Sequence, residues 1–164
     1  MKNFARIIGT GSYLPPKIVT NVDLEKTLDT SDEWITARTG IKERRIVTKE
    51  STCDLALEAS LNALSMAEKK PEDIDLIILS TTTPDKIFPA TATMLQNRLG
   101  ASCPAFDLQA VCAGFVFAMS NAQQYIENGS AKNILVVGSE TMSKIVDWTD
   151  RSTAILFADG AGAV

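Results

Sequence analysis

Two continuous apolar runs, Ile74–Ser80 (IDLIILS) and Asn133–Gly138 (NILVVG), constrain this chain more than any other feature. A strand with one wet face alternates apolar and polar residues, so an unbroken run reads as a strand covered on both faces. Such strands need helices above and below, and the intervening sequence supplies them. Ser51 with Asp54 three residues on is a capping box, followed by Leu57, Leu61 and Leu64 at helical spacing up to about Lys69 and Pro71. Pro89 to Leu99 reads as a helix with Gly100 after it. Gly114 to Glu127 reads as another, with Phe115, Met119, Ala122 and Ile126 on one stripe.

The remaining segments fit the same scheme. Phe4 to Ile8, Ile41 to Val47, Ala105 to Val111 and Ala154 to Ala158 read as further strands. Thr20 with Asp23, and Ser31 with Gly40, bound two short helices, over Val22 to Leu28 and up to Thr39. Buried strands alternating with helices predict an α/β fold on a largely parallel sheet. The 164 residues match one domain, and no linker or internal repeat divides them. The last residues, Asp159 to Val164, read as a turn entering a new strand.

Composition narrows the function. Hydrophobic residues make up 45% and charged residues 22%, ordinary for a globular chain. No apolar run reaches the roughly 18 residues of a membrane span, and the N-terminus lacks a secretory leader's apolar core. The net charge is −4 and the densest basic run is Lys42-Glu43-Arg44-Arg45, which argues against nucleic acid. Three cysteines without a close pair argue against a disulfide framework or a cysteine zinc site, leaving a reducing cytoplasm as the expected compartment. There is no histidine, which removes Ser-His, Cys-His and His-metal chemistry from these residues taken alone.

Cys112 is the leading candidate for chemistry. It sits in DLQAVCAGF, where a strand gives way to a helix within about two residues, and Ala113 and Gly114 permit close backbone approach. That is the logic of a nucleophile elbow, without its G-x-S-x-G pattern. A helix N-terminus favours an anion, and a thiol there can fall to a pKa of about 3.5–7.5. The competing reading is a small residue filling a turn. Cys53 and Cys103 read as structural. Gly9-Thr10-Gly11 lacks a third glycine, and Pro15-Pro16 stands where a dinucleotide-binding helix would begin, so it reads as a plain turn. Trp34 and Arg38 are four apart on one helical face, a pairing that suits an adenine nucleotide or coenzyme A, or equally a surface cation–π pair. Arg151 lies on a second polar loop, TDRST.

Several motifs together carry a resemblance. IIGTGSYLP (Ile7 to Pro15), TSDEWITARTGIKERR (Thr30 to Arg45), CPAFDLQAVCAGF (Cys103 to Phe115), VVGSE (Val136 to Glu140) and TDRSTAILFADGAGAV (Thr149 to Val164) resemble the N-terminal half of the β-ketoacyl-acyl-carrier-protein synthase III family. The resemblance implies a thiolase-like fold, in which two α/β halves stack as a five-layer α-β-α-β-α sandwich and two chains form a homodimer. Residues 1–164 would be the N-terminal half carrying the nucleophile, with the C-terminal half absent. It implies that Cys112 takes an acyl group from acyl-CoA, acetyl-CoA being the expected primer. The thioester would then condense with the carbanion from malonyl-acyl carrier protein, starting fatty-acid synthesis without metal or cofactor. It implies coenzyme A contacts at Thr30, Trp34, Arg38 and Arg151, and that Phe88 reaches into the partner's primer pocket. The family's enolate-stabilising His and Asn belong to the other half, so these 164 residues alone are expected not to condense. A related condensing enzyme of secondary metabolism and a non-catalytic thiolase-like partner half are the alternatives.

Overall fold

The two apolar runs lie side by side at the centre of a five-stranded sheet. The computed structural model describes residues 4–164; the reading of Met1-Lys2-Asn3 as the head of a leaderless N-terminus lies outside the described residues. In chain order the strands are β1 (Gly11–Tyr13), β2 (Lys17–Thr20), β3 (Glu43–Ile46), β4 (Leu76–Ser80), β5 (Ala105–Leu108), β6 (Ile134–Thr141) and β7 (Asp159–Ala163). The helices are α1 (Asn21–Glu25), α2 (Asp32–Thr39), α3 (Thr52–Met66), α4 (Thr91–Leu99), α5 (Gly114–Glu127) and α6 (Arg151–Ala154). The sheet runs β1-β7-β6-β4-β5, and β2 with β3 forms a separate two-stranded antiparallel sheet. Strands β5, β4 and β6 are parallel, while β7 runs antiparallel to both of its neighbours, β6 and β1, so the sheet is mixed.

Side-chain alternation builds the layers. Every residue of β4 is buried. Ile77, Leu79, Leu135 and Val137 face Leu55, Ala56, Ala59 and Ala63 of α3 and Leu95 of α4. Leu76, Ile78 and Val136 face Ala118 and Ala122 of α5. Each fully buried Leu, Ile or Val contributes about 1.5–3 kcal/mol, so this α/β/α sandwich is the main source of stability. The buried face of α3 is its alanine face, and the expected stripe at Leu61 is exposed. Small residues are needed there because β1 crosses close above. A Cβ on Gly11 would stand 2.1 Å from the Ala59 carbonyl oxygen, and one on Gly9 would stand 2.4 Å from that of Ala63. A satellite core of Leu24, Leu28, Ile35, Ala154 and Ile155 gathers α1, α2 and α6.

Three expected strands differ. Phe4 to Ile8 forms none: the β1–β7 ladder covers only Gly11–Tyr13, and among the described residues no strand pairs with residues 4–8. Beside them lies an open apolar trench of about 840 Å³, lined by Ile7, Ile8, Ile126, Leu135 and Val164. Ala154 to Ala158 is not a strand either, because Asp150 caps α6 through the Ser152 N–H and Ala154 closes that helix. Ala105 to Val111 stops as a strand at Leu108.

Candidate functional site

The parallel strands β4, β5 and β6 point their carboxyl ends the same way, and loops leaving such ends are where α/β sheets gather ligands. After β5 the chain enters a short 3-10 turn, Val111–Ala113, and then α5. Cys112 stands in that turn, its residue exposed, while Cys53 and Cys103 are buried. Burial pushes both of those thiols up, away from the reactive thiolate. Two features aim the Cys112 turn. Val111 has φ +49°, a left-handed conformation that costs a β-branched residue about 1–3 kcal/mol. Gly114 brings the start of α5 onto β4, since a Cβ there would sit 2.0 Å from Ser80 Oγ. Ala113, the N-cap residue of α5, makes no side-chain cap hydrogen bond.

Neighbouring loops are fixed by carboxylates that the sequence reading missed. Glu140 accepts the Thr82 N–H (2.7 Å) and Thr83 N–H (3.0 Å), plus the hydroxyls of Thr81 and Thr83, which ties β6 to the loop leaving β4. Asp85, on that loop, accepts the Thr52 and Cys53 N–H groups at 2.8 Å and so holds the first turn of α3. Asp107 of β5 accepts the Thr91 and Ala92 N–H groups (2.8 and 2.6 Å) at the start of α4. Between these anchors Ile87 and Phe88 project fully into solvent. The partners are 15 to 59 residues apart in sequence, beyond the reach of a local capping pattern. Only the aspartate within a strand, a residue type strands disfavour, hinted at a special role.

A second cluster lies on the satellite core. Trp34 and Arg38, on α2, stack with the guanidinium carbon 4.2 Å from the ring centroid. Arg151, at the start of α6, brings its own to 4.7 Å from the same ring, and its Nη1 donates to the Asp29 carbonyl at 2.8 Å. The structure thus gathers three of the four expected coenzyme A residues around one indole, across 117 positions of sequence. Thr30 precedes the Ser31 cap of α2, and its buried Oγ1 has no hydrogen-bond partner among the described residues, an uncommon state for a buried hydroxyl. Phe88 belongs to the loop after β4, not to the indole cluster.

These features define a thiolase-like half: a three-layer α/β/α unit with an exposed cysteine between the parallel edge strand β5 and a helix. A family profile described as 3-oxoacyl-[acyl-carrier-protein (ACP)] synthase III matches residues 106–164. The β-ketoacyl-[acyl-carrier-protein] synthase III of Vesicomyosocius okutanii subsp. Calyptogena okutanii is 67% identical over 164 residues, 100% of this chain and 52% of that protein. The crystal structure of 3-oxoacyl-[acyl-carrier-protein] synthase III from Aquifex aeolicus VF5 superposes with a TM-score of 0.95 at 53% identity, over 100% of this chain and 53% of that one. The priming β-ketosynthase of the R1128 polyketide biosynthetic pathway superposes with a TM-score of 0.96 at 40% identity, over 99% of this chain and 49% of that one. The chain belongs to the β-ketoacyl-[acyl-carrier-protein] synthase III family and spans about half the length of the relatives it matches.

Proposed function

We propose that this chain is the N-terminal, nucleophile-bearing half of an enzyme that condenses an acyl-CoA primer with malonyl-acyl carrier protein to give 3-oxoacyl-acyl carrier protein. The observation that carries this reading is the placement of Cys112, exposed on a strained turn before a helix with no side-chain cap. A nucleophile needs that access, and a residue kept only for packing does not. Cys112 attacks the thioester carbonyl of acetyl-CoA; the sulfur of coenzyme A leaves with a proton, and the acyl group stays on Cys112. Splitting one acyl transfer into two lowers each barrier. Malonyl-acyl carrier protein then loses carbon dioxide, and its carbanion attacks the acyl-cysteine and releases the thiol. Fixed donors must stabilise that enolate, and no histidine in this chain can serve.

The indole cluster supports a nucleotide subsite. Trp34 offers a flat face, Arg38 and Arg151 offer bidentate donors for phosphate, and the unpartnered Thr30 hydroxyl lies beside the cap of the same helix. Exposed Ile87 and Phe88 and the unpaired outer edge of β5 support a homodimer in which Phe88 enters the partner's primer pocket. A cytoplasmic location follows from the substrates; among the described residues no helix is long and apolar enough to cross a membrane.

The test is mass spectrometry of the full-length protein after incubation with acetyl-CoA. One acetyl adduct on the peptide containing Cys112, absent in Cys112→Ser together with condensation, is the expected result. No adduct with acetyl-CoA or other short acyl-CoAs overturns the assignment. Similarity to a polyketide-priming ketosynthase at 40% identity favours a second reading, a related condensing enzyme of secondary metabolism. Preference for a longer acyl-CoA over acetyl-CoA in the same assay would select it.

A further inference from the structure

Arg44, on β3, is 2% exposed, and no carboxylate lies within ion-pair distance of it among the described residues. The sequence places it in the basic run Lys42-Glu43-Arg44-Arg45; in the fold it is buried. A buried cation without a counter-ion is costly, so its presence calls for a function that a neutral side chain of similar volume could not perform. Neutral acceptors surround it. Nε and Nη2 both donate to the carbonyl of Ile155, at 3.1 and 2.7 Å, and Nη1 donates to Asn21 Oδ1 at 2.8 Å. Asn21 is itself 1% exposed. Its amide nitrogen donates to the Ile41 carbonyl (2.7 Å), Asp32 Oδ1 (2.8 Å) and Thr36 Oγ1 (3.3 Å). A guanidinium only donates, so it dictates which end of the Asn21 amide faces it and which end faces α2.

The two ends of this relay are the two helices of the indole cluster. Asp32 and Thr36 flank Trp34 on α2, and Ile155 directly follows α6, which begins at Arg151. We propose that Arg44 is a positioning residue for the nucleotide stack: through Asn21 on one side and the Ile155 carbonyl on the other, it sets the spacing of Arg151 over Trp34. The helix α6 has only four residues and little packing surface of its own, so a two-pronged grip on the residue after it fixes where Arg151 starts. The planar fork suits this task because one arm holds the carbonyl while the other holds the amide. A lysine ammonium presents a single point and cannot span both. The inference rests on reading Trp34, Arg38 and Arg151 as the subsite for the nucleotide of acyl-CoA.

The full-length protein tests it with two acetyl thioesters, acetyl-CoA and acetyl-N-acetylcysteamine, which lacks the nucleotide. In Arg44→Lys, KM for acetyl-CoA should rise about tenfold with kcat within about twofold of wild type, while kcat/KM for the truncated thioester changes less than about twofold. Asn21→Ala cuts the relay from the α2 side; it should give the same split, and it serves where Arg44→Lys does not fold. An unchanged KM for acetyl-CoA in a folded variant overturns the inference. So does an equal loss with both thioesters, which would mark a general structural role. A wild-type protein that does not prefer acetyl-CoA over the truncated thioester overturns the nucleotide subsite and this inference together; a wild-type preference that survives in the variants overturns this inference alone.

Discussion

Asp107→Ala tests how the loop carrying Phe88 is held. The N-cap residue of α4 is Ala90, which has no side-chain acceptor, so Asp107 is what satisfies the first turn, through N–H bonds of 2.8 Å from Thr91 and 2.6 Å from Ala92. Thr91 and Ala92 are fully buried, so truncation leaves two amides with poor access to water. A lost cap costs about 0.5–2 kcal/mol, and each buried donor left unpaired costs about 1–3 kcal/mol. Water entering the space left by the carboxylate recovers part of that sum, leaving about 3 kcal/mol against the closed first turn. Tenfold in an opening equilibrium is about 1.4 kcal/mol, so amide exchange there should accelerate about 100-fold. The assay is native-state hydrogen exchange on the full-length protein, read on peptides covering residues 85–95. Asp107→Asn keeps one acceptor and should fall between wild type and alanine. Exchange at Thr91 and Ala92 within about twofold of wild type would refute the capping argument. An equal acceleration in α3 and α5 would also refute it, because it would report global destabilisation.

Two further outcomes follow from the geometry. Gly11→Ala should destabilise by about 3 kcal/mol or abolish folding, because the new Cβ would lie 2.1 Å from the Ala59 carbonyl oxygen and 2.3 Å from the Ala63 nitrogen, both backbone atoms that cannot rotate away; a urea midpoint equal to that of wild type would show that β1 lies farther from α3. The Glu50 carboxylate accepts the N–H groups of Lys49 and Thr48 and is pulled from 4.5 down to about 2. Because the folded-state value is depressed, the order this loop gains from Glu50 is fully present above pH 4.5 and is lost as the pH falls toward 2. Amide resonances of residues 48–50 should therefore titrate with a midpoint near 2, and a midpoint near 4.5 would refute the contact.

Elements defined by neighbours in sequence were legible from the residues. The capping boxes at Thr20/Asp23 and Ser51/Asp54 form as expected, and α5 occupies Gly114–Glu127 as its apolar stripe predicts. The central strands were legible because burial on both faces leaves an unbroken apolar run. The two-stranded β2–β3 sheet was only half legible. Its first strand, KIVT, is four residues long after two prolines and has no strict alternation, and its pairing with residues 43–46 is a property of the fold. The segment AILFA reads as a strand by composition, yet its first residue ends α6 and the next presents its carbonyl to Arg44. The cysteine turn was legible from its flanking small residues, whereas the strain at Val111 was not, since no residue type announces a left-handed φ at valine. Trp34 and Arg38 were legible as a pair. Their union with Arg151 depends on the buried relay behind them.

That relay separates two tasks within one chain. Cys112, the proposed nucleophile, sits at the carboxyl edge of the main sheet, where the strands are locked by cores on both faces. The indole cluster sits on the small satellite core, whose helices α1 and α6 have five and four residues. Elements that short are held by few apolar contacts, and hydrophobic packing alone leaves them free to slide. Directional bonds remove that freedom: Arg44 and Asn21, bonded to each other, make two hydrogen bonds to side chains of α2 and two to the Ile155 carbonyl that follows α6. A charged network is a poor way to stabilise a core and a good way to fix one geometry within it. In a binding site, geometry is what sets affinity, because donors held in place beforehand lose less freedom when the ligand arrives. The absence of histidine completes the division. On the proposed reading these residues bind a thioester and accept its acyl group, and since they hold no histidine, any imidazole that stabilises the carbanion belongs to residues outside this chain.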